Sequence, residues 1–110
     1  MNRIRVLSLF SGCGGMDLGI EGDFCVHKKS VGNKIIEKCR KNHKSNWVSL
    51  PKTKFKIEFA NDILREAKAA YVPFFKKRGA NHNFVSESIV DIVKSAETGE
   101  FKFPEIDMVV

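Results

Sequence analysis

A chain of 110 residues with 43% hydrophobic side chains and nine phenylalanines has the size and apolar content of one folded domain, which excludes a disordered or low-complexity segment. Its net charge of +6 is uneven: residues 23–56 carry ten Lys or Arg against Asp23 and Glu37, a segment charge of +8 that leaves −2 for the remainder. That imbalance fits either a basic lobe that meets phosphate backbones or a solvated lysine-rich surface.

Residues 4–10 (Ile-Arg-Val-Leu-Ser-Leu-Phe) are β-branched or apolar and end at Ser11-Gly12, so they predict a mostly buried first strand. A short helix follows from about Gly15 to Glu21, with Gly22 as its stop. Residues 23–56 predict an insertion with a short strand over 24–27 and a helix over 33–42 anchored by Ile35, Ile36 and Cys39. In "FKIEFAND", Phe55, Ile57 and Phe59 alternate with Lys56 and Glu58, which predicts a second strand. Ile63, Ala67, Ala70, Tyr71 and Phe74 recur at helical spacing, and Pro73 is expected to end or kink that helix before Gly79. A third strand over 83–87, a helix opened by a Ser88/Asp91 capping box and closed by Gly99, and a fourth strand over 106–110 complete the series. Strand and helix alternate three times before another strand, so the expected fold is α/β with a Rossmann-like, doubly wound, mostly parallel sheet.

Ligands of such sheets bind beyond the carboxyl ends of the strands, which directs attention to residues 10–15, 61–63 and 87–89. Gly12 and Gly14 let the backbone turn sharply and approach a ligand closely. A dinucleotide fingerprint starting at Gly12 needs glycine at position 17, where Asp17 stands and would repel a pyrophosphate. No Gly-Lys-Ser/Thr follows, so a P-loop is excluded as well. A nucleoside with a zwitterionic tail, such as S-adenosylmethionine, suits the loop better, and Asp62 is placed to accept from ribose hydroxyls.

Phe10-Ser11-Gly12-Cys13-Gly14-Gly15, Asn61-Asp62-Ile63 and Ile106-Asp107-Met108-Val109-Val110 together resemble the opening motifs of the DNA cytosine-5 methyltransferases, many of them of restriction-modification type. The match covers nearly the whole chain as the N-terminal part of that catalytic domain, divided into a glycine-loop unit (1–22), a basic insertion (23–56) and the remaining cofactor-side elements (57–110). The resemblance implies an S-adenosylmethionine-dependent methyltransferase fold, incomplete in this chain. It implies that Phe10 packs near the adenine and that Ser11, Gly12, Cys13, Gly14 and Gly15 wrap the methionine end. Asp62 then holds the ribose, Ile63 flanks the adenine, and Glu87, Ser88 and Ile89 stand at the adenine amino group, where the family's usual Gly-Asp-Ile is absent. Ser8 replaces an acidic residue that many members carry.

In this family a Pro-Cys cysteine adds to C6 of a flipped-out cytosine before C5 is methylated. None of Cys13, Cys25 and Cys39 follows a proline, so no catalytic residue is assigned and the chain alone is expected to be inactive. Val110 reads as an interior cut, with a missing C-terminal portion or complementary subunit as partner, or self-association of the unpaired edge. Double-stranded DNA is the expected partner of the complete enzyme. Three cysteines without paired spacing, no apolar run near the roughly 20 residues that cross a bilayer, and no signal peptide lead to a cytoplasmic expectation without a membrane partner. Two rivals stand beside this reading. One is a non-catalytic S-adenosylmethionine- or nucleic-acid-binding accessory module. The other is a zinc module of Cys25, His27, Cys39 and His43, disfavoured by its narrow Cys-to-Cys loop, so no metal is assigned. Trp47 fits either base stacking or a small core within the insertion, and His82 reads as a loop residue.

Overall fold

The structure, a computed structural model, describes residues 2–37, 39–41 and 46–110. Its elements run β1 (Ile4–Ser8), α1 (Gly15–Glu21), β2 (Cys25–His27), a 3-10 turn (Lys28–Ser30), α2 (Asn33–Ile36), β3 (Arg40–Lys41), β4 (Trp47–Ser49), β5 (Phe55–Asn61), α3 (Arg65–Lys77), β6 (Asn83–Val85), α4 (Ile89–Thr98) and β7 (Met108–Val109). Four strands form a parallel sheet in the order β6-β5-β1-β7. The chain therefore adds β5 and β6 on one side of β1 and then crosses to the other side, the strand-order reversal that marks a Rossmann-like α/β fold. Among the described residues no helix is long and apolar enough to cross a membrane.

β1 is paired on both edges, and Val6 at its middle is fully buried. Arg5 fixes the register of β7 against it. Its backbone N–H and its Nε both donate to Asp107 Oδ2, at 2.8 and 2.9 Å, and the Asp107 N–H returns a bond to the Arg5 carbonyl at 2.9 Å. The Arg5 side chain holds the Asp107 carboxyl down to about 2.

β5 departs from simple alternation. Val6 lies opposite Ile57 but Leu7 lies opposite Phe59, so Glu58 is the extra residue of a bulge and the face of each following side chain is exchanged. Ile57 and Ala60 join Val6, Tyr71, Phe75 and Phe84 in the core, with Leu18 and Ile20 of α1 packed against it. Phe59 instead meets Phe101 and Phe103 edge-on, at ring separations of 5.8 and 5.6 Å. The alternation of Phe55, Ile57 and Phe59 thus yields the expected strand, with Ile57 and Phe59 packed in different surroundings.

Four expectations change. Pro73 does not end the helix before Gly79, because α3 runs through it to Lys77. Ala67, Tyr71 and Phe75, four residues apart, bury one stripe while Pro73 stays exposed, and that burial outweighs the roughly 3 kcal/mol that an interior proline costs. Ser88 occupies the N-cap of α4 but its side chain makes no capping bond, so the capping box is not formed. The predicted helix over 33–42 ends at Ile36, because Arg40 and Lys41 pair with β4; positions 38 and 42 lie outside the described residues. β4 itself was not predicted, and with β2 and β3 it forms an antiparallel sheet in the order β2-β4-β3. Its buried residue is Val48, whereas Trp47 is 55% exposed and edge-on to His27, so Trp47 is not a core for the insertion.

Phe59 is fully buried between two rings, so Phe59→Ala should cost about 3 to 5 kcal/mol of unfolding free energy in urea denaturation. A cost near that of an exposed residue would show that the Phe101 and Phe103 segment closes over the gap.

Candidate functional site

β1 hands over to the glycine loop at the point where the strand order reverses, between β1 and β7. The loop is tied to both neighbours. The Leu9 N–H donates to the Val110 carbonyl at 2.9 Å, and the Ser11 N–H donates to the Asn61 carbonyl at 2.8 Å. In return the Asn61 N–H donates to Ser11 Oγ at 3.2 Å. Phe10 is held at φ 52, an uncommon conformation for a residue with a Cβ, and the residue is 74% exposed. Gly12 and Gly14 have φ 57 and 96, and a Cβ on Gly14 would lie 2.8 Å from the Tyr71 ring. Glycine at position 14 is thus required by the close passage of the loop over α3. By contrast, a Cβ at Gly12 or Gly15 would meet open space, so the backbone there is accessible from outside.

Asp62 braces the same loop: its Oδ2 accepts from the Gly12 N–H at 3.0 Å and its Oδ1 from the Leu64 N–H at 2.9 Å. Ile63 beside it is 65% exposed. Asn61, placed at the crevice by the sequence but given no role there, binds the next strand end by donating from Nδ2 to the carbonyls of Val85 and Glu87 at 2.9 and 2.8 Å. Ser11, Gly12, Asp62 and, through Asn61, Glu87 are therefore linked in one hydrogen-bonded edge, and Ser88 and Ile89 open α4 there. Cys13 is exposed on the loop. The signal for Asn61 was its amide at the end of an apolar strand, where a buried polar group needs partners.

Beneath the loop lies a polar cluster that the sequence did not reveal. Asp17 is fully buried, so it does not stand beside a loop ligand as the sequence suggested. Its Oδ1 accepts from Ser8 Oγ at 2.5 Å and its Oδ2 from the Tyr71 hydroxyl at 2.7 Å. The Ser8 and Ser11 hydroxyls are 2.9 Å apart. Ser8 thus brings a carboxylate to the end of β1 from the helix instead of from its own position. His82, read as a loop residue, is 2% exposed at its side chain and lies 2.9 Å from the Tyr71 oxygen through Nδ1 and 2.8 Å from Glu21 Oε1 through Nε2. Burial pushes the Asp17 carboxyl up, against the hydrogen bonds from Ser8 and Tyr71. Burial also opposes ionisation of Glu21, but His82 and the Ile57 N–H outweigh it and hold that carboxyl below its ordinary range.

A concavity of about 430 Å³ opens at the opposite, amino end of the sheet, lined among others by Arg3, Glu21, Lys52, Lys56, Arg78 and His82. Its charges are largely matched there: Lys56 pairs with Glu58 at 2.8 Å, and Arg78 donates to the carbonyls of Gly22 and Asp23 at 3.0 and 2.9 Å. Both α1 and α3 end at this cleft, and helix carboxyl ends disfavour anions. The carboxyl edge of the sheet is therefore the better candidate. In the insertion, His27 Nδ1 accepts from the Lys29 N–H and Cys39 Sγ donates to the Ile35 carbonyl; His43 lies outside the described residues, and no group of three metal-ligating side chains occurs among the described ones.

The fold and this edge define a Rossmann-like α/β protein with a glycine loop at its switch point. Over 110 residues, 99% of the chain, the sequence is 31% identical to the type II methyltransferase M.BspRI of Lysinibacillus sphaericus, and it spans 23% of that protein's length. No family model and no solved structure matches the chain. The chain is thus related in sequence to a methyltransferase.

The two buried carboxyls give opposite pH dependences. Asp17, raised above its ordinary 3.8, contributes stability that is complete below that value and is lost as pH rises through its folded value. Glu21, lowered from 4.5, contributes stability that is present above that value and is lost as pH falls through its folded value. Asp17→Asn removes the opposing contribution, so its stability should fall more steeply on acidification than that of the parent. Urea denaturation across the acid range measures the slope, and identical slopes would show that Asp17 does not titrate there.

Proposed function

We propose that this chain is the S-adenosylmethionine-binding N-terminal portion of a DNA cytosine-5 methyltransferase of restriction-modification type. The observation that carries the reading is the accessible glycine loop at the switch point, braced by Asp62 and bordered by two exposed apolar side chains, Phe10 and Ile63. These features fit the cofactor: apolar walls suit a purine, and open backbone at Gly12 and Gly15 suits a polar tail. When bound, the cofactor supplies an activated methyl group. Ser11, Gly12, Cys13, Gly14 and Gly15 hold its methionine end, Asp62 the ribose, and Phe10 and Ile63 the adenine faces, with Glu87, Ser88 and Ile89 at the adenine edge. Sequence relationship to a type II methyltransferase supports methyl transfer as the reaction class.

The nucleophile of the reaction is assigned to a Pro-Cys segment outside residues 1–110, since the three cysteines here follow Gly12, Phe24 and Lys38. Double-stranded DNA is the substrate of the completed enzyme, in a cytoplasmic, nucleoid-associated setting. Lys28, Lys29 and Lys34 on the insertion are exposed and offer phosphate contacts.

Asp62→Ala should weaken S-adenosylmethionine binding by roughly 1 to 3 kcal/mol, the range for a lost hydrogen bond to a charged group. Calorimetry with a folded variant of unchanged affinity would remove Asp62 from the site. Charge reversal at Lys28, Lys29 and Lys34 should flatten the salt dependence of DNA binding, because each phosphate contact releases counterions. An unaltered slope would leave the insertion as a solvated surface only.

A further inference from the structure

Behind the glycine loop, Asp17, Tyr71, His82 and Glu21 form an unbroken line of contacts that runs from the carboxyl edge of the sheet to its amino end. The three separations are 2.7 Å from Asp17 Oδ2 to the Tyr71 hydroxyl, 2.9 Å from that hydroxyl to His82 Nδ1, and 2.8 Å from His82 Nε2 to Glu21 Oε1. The first two are hydrogen bonds, each with one proton between its atoms, whereas the third is a close ion-pair contact and not a hydrogen bond, favourable only when Nε2 carries a proton. Tyr71 has a single proton and donates it to Asp17. His82 Nδ1 must then carry a proton for the Tyr71 oxygen, and Nε2 must carry another for Glu21. The alternative with the same proton count moves two of the protons one place along, so that Asp17 donates to Tyr71 and Tyr71 to Nδ1, while Nε2–H still faces Glu21.

Three contacts with three protons are all satisfied; with two protons one contact fails. If His82 keeps only its Nδ1 proton, a bare nitrogen faces the Glu21 carboxylate. If it keeps only its Nε2 proton, Tyr71 turns to donate to Nδ1, and Asp17 loses its second hydrogen bond inside the protein. Glu21 Oε2 is independently fixed by the Ile57 N–H at 3.1 Å, and Arg3 adds favourable charge beside it. Rings of Phe75 and Phe84 enclose Tyr71, and Phe75 also lies against His82, so the middle of the line is shielded from water, whereas Glu21 and His82 border the concavity at the amino end of the sheet. Asp17 is the end of the line that touches the loop, through Ser8 and Ser11. Ser11 is also the residue through which β5 holds the loop.

We propose that Asp17, Tyr71 and His82 are positioning residues for the cofactor loop, and that the loop is fully braced only while the line from Asp17 to Glu21 holds three protons. The proposal rests on the reading of the glycine loop as a cofactor site. The groups that bear on the line are Asp17 and Glu21 from α1, Ser8 from β1, Tyr71 from α3, His82 ahead of β6 and Arg3 ahead of β1, and Lys52, Lys56, Glu58 and Arg78 share the concavity that Glu21 and His82 border. Loss of one proton from the line as pH rises weakens cofactor binding from behind the loop, apart from any titration among the cofactor's own contacts.

The test is a pH series of S-adenosylmethionine titrations on the parent chain, Tyr71→Phe and His82→Gln, together with amide resonances of residues 11–15 and the His82 ring. In the parent, affinity should fall about tenfold on the alkaline side, the scale of one hydrogen bond to a charged group. The loop amides should move in step with His82. Tyr71→Phe keeps the ring but cuts the line, so affinity should drop about tenfold at every pH and both pH responses should vanish. Glutamine at position 82 donates and accepts without titrating, so His82→Gln should bind nearly as well as the parent and show no alkaline loss. Loop amides that ignore the titration of His82, or an alkaline loss that persists in His82→Gln, would overturn the proposal; the second criterion decides it if Tyr71→Phe does not fold. A parent that binds no S-adenosylmethionine while its loop amides still follow His82 would overturn the cofactor reading and leave the relay standing.

Discussion

Removing a carboxylate from water costs several kcal/mol unless hydrogen bonds replace its hydration, and Asp17 is a fully buried one in the first turn of α1. Its two oxygens are met from two directions, by Ser8 on the central strand and by Tyr71 on α3. Those bonds constrain where α1 can lie relative to both elements. With α1 fixed, the glycine loop has a short, defined path, which crosses Tyr71 so closely that position 14 cannot carry a side chain. The exposed backbone of the loop is thus the outer surface of an arrangement decided in the interior.

The parallel sheet places unlike environments at its two ends. Its carboxyl edge presents apolar side chains and open backbone at a strand-order reversal. Its amino end gathers charged side chains around two helix carboxyl termini, where ion pairs and carbonyl contacts use most of their capacity. Size of a concavity alone would favour the amino end, whereas the chemistry available to a ligand favours the other. Asp17 and Glu21 lie one helical turn apart in α1 and so connect the two ends through the core.

Much of this was legible in the sequence because it is written in local pattern. The glycine run after an apolar strand, the Gly22 stop of α1 and the strand at "FKIEFAND" each depend on neighbours along the chain, and α1 was placed at its observed limits. What was not legible depends on partners far apart in sequence. The bulge at Glu58 follows from the register with β1 and cannot be seen in β5 alone. Pro73 reads as a helix breaker because the stabilising burial of Tyr71 and Phe75 is a tertiary fact. His82 is a loop residue, as read, but its burial against Tyr71 and Glu21, from two different helices, cannot be seen along the chain. Ser8 carried a usable clue, since a hydroxyl within an apolar strand requires a buried partner.

The basic insertion leaves and rejoins the main sheet at almost the same place. Gly22 and Lys52 form an antiparallel bridge, the Asp23 N–H donates to the Pro51 carbonyl at 3.3 Å, and the Thr53 N–H donates to the Glu21 carbonyl at 3.0 Å. Arg78 closes the junction by holding the carbonyls of Gly22 and Asp23. A segment anchored by a clasp of this kind behaves as a replaceable cassette: doubling its length adds only about 0.6 kcal/mol of closure entropy, and nothing beyond the clasp has to be rebuilt. Variation in the basic lobe can therefore be explored by evolution or by grafting while the loop and its buried supports stay unchanged.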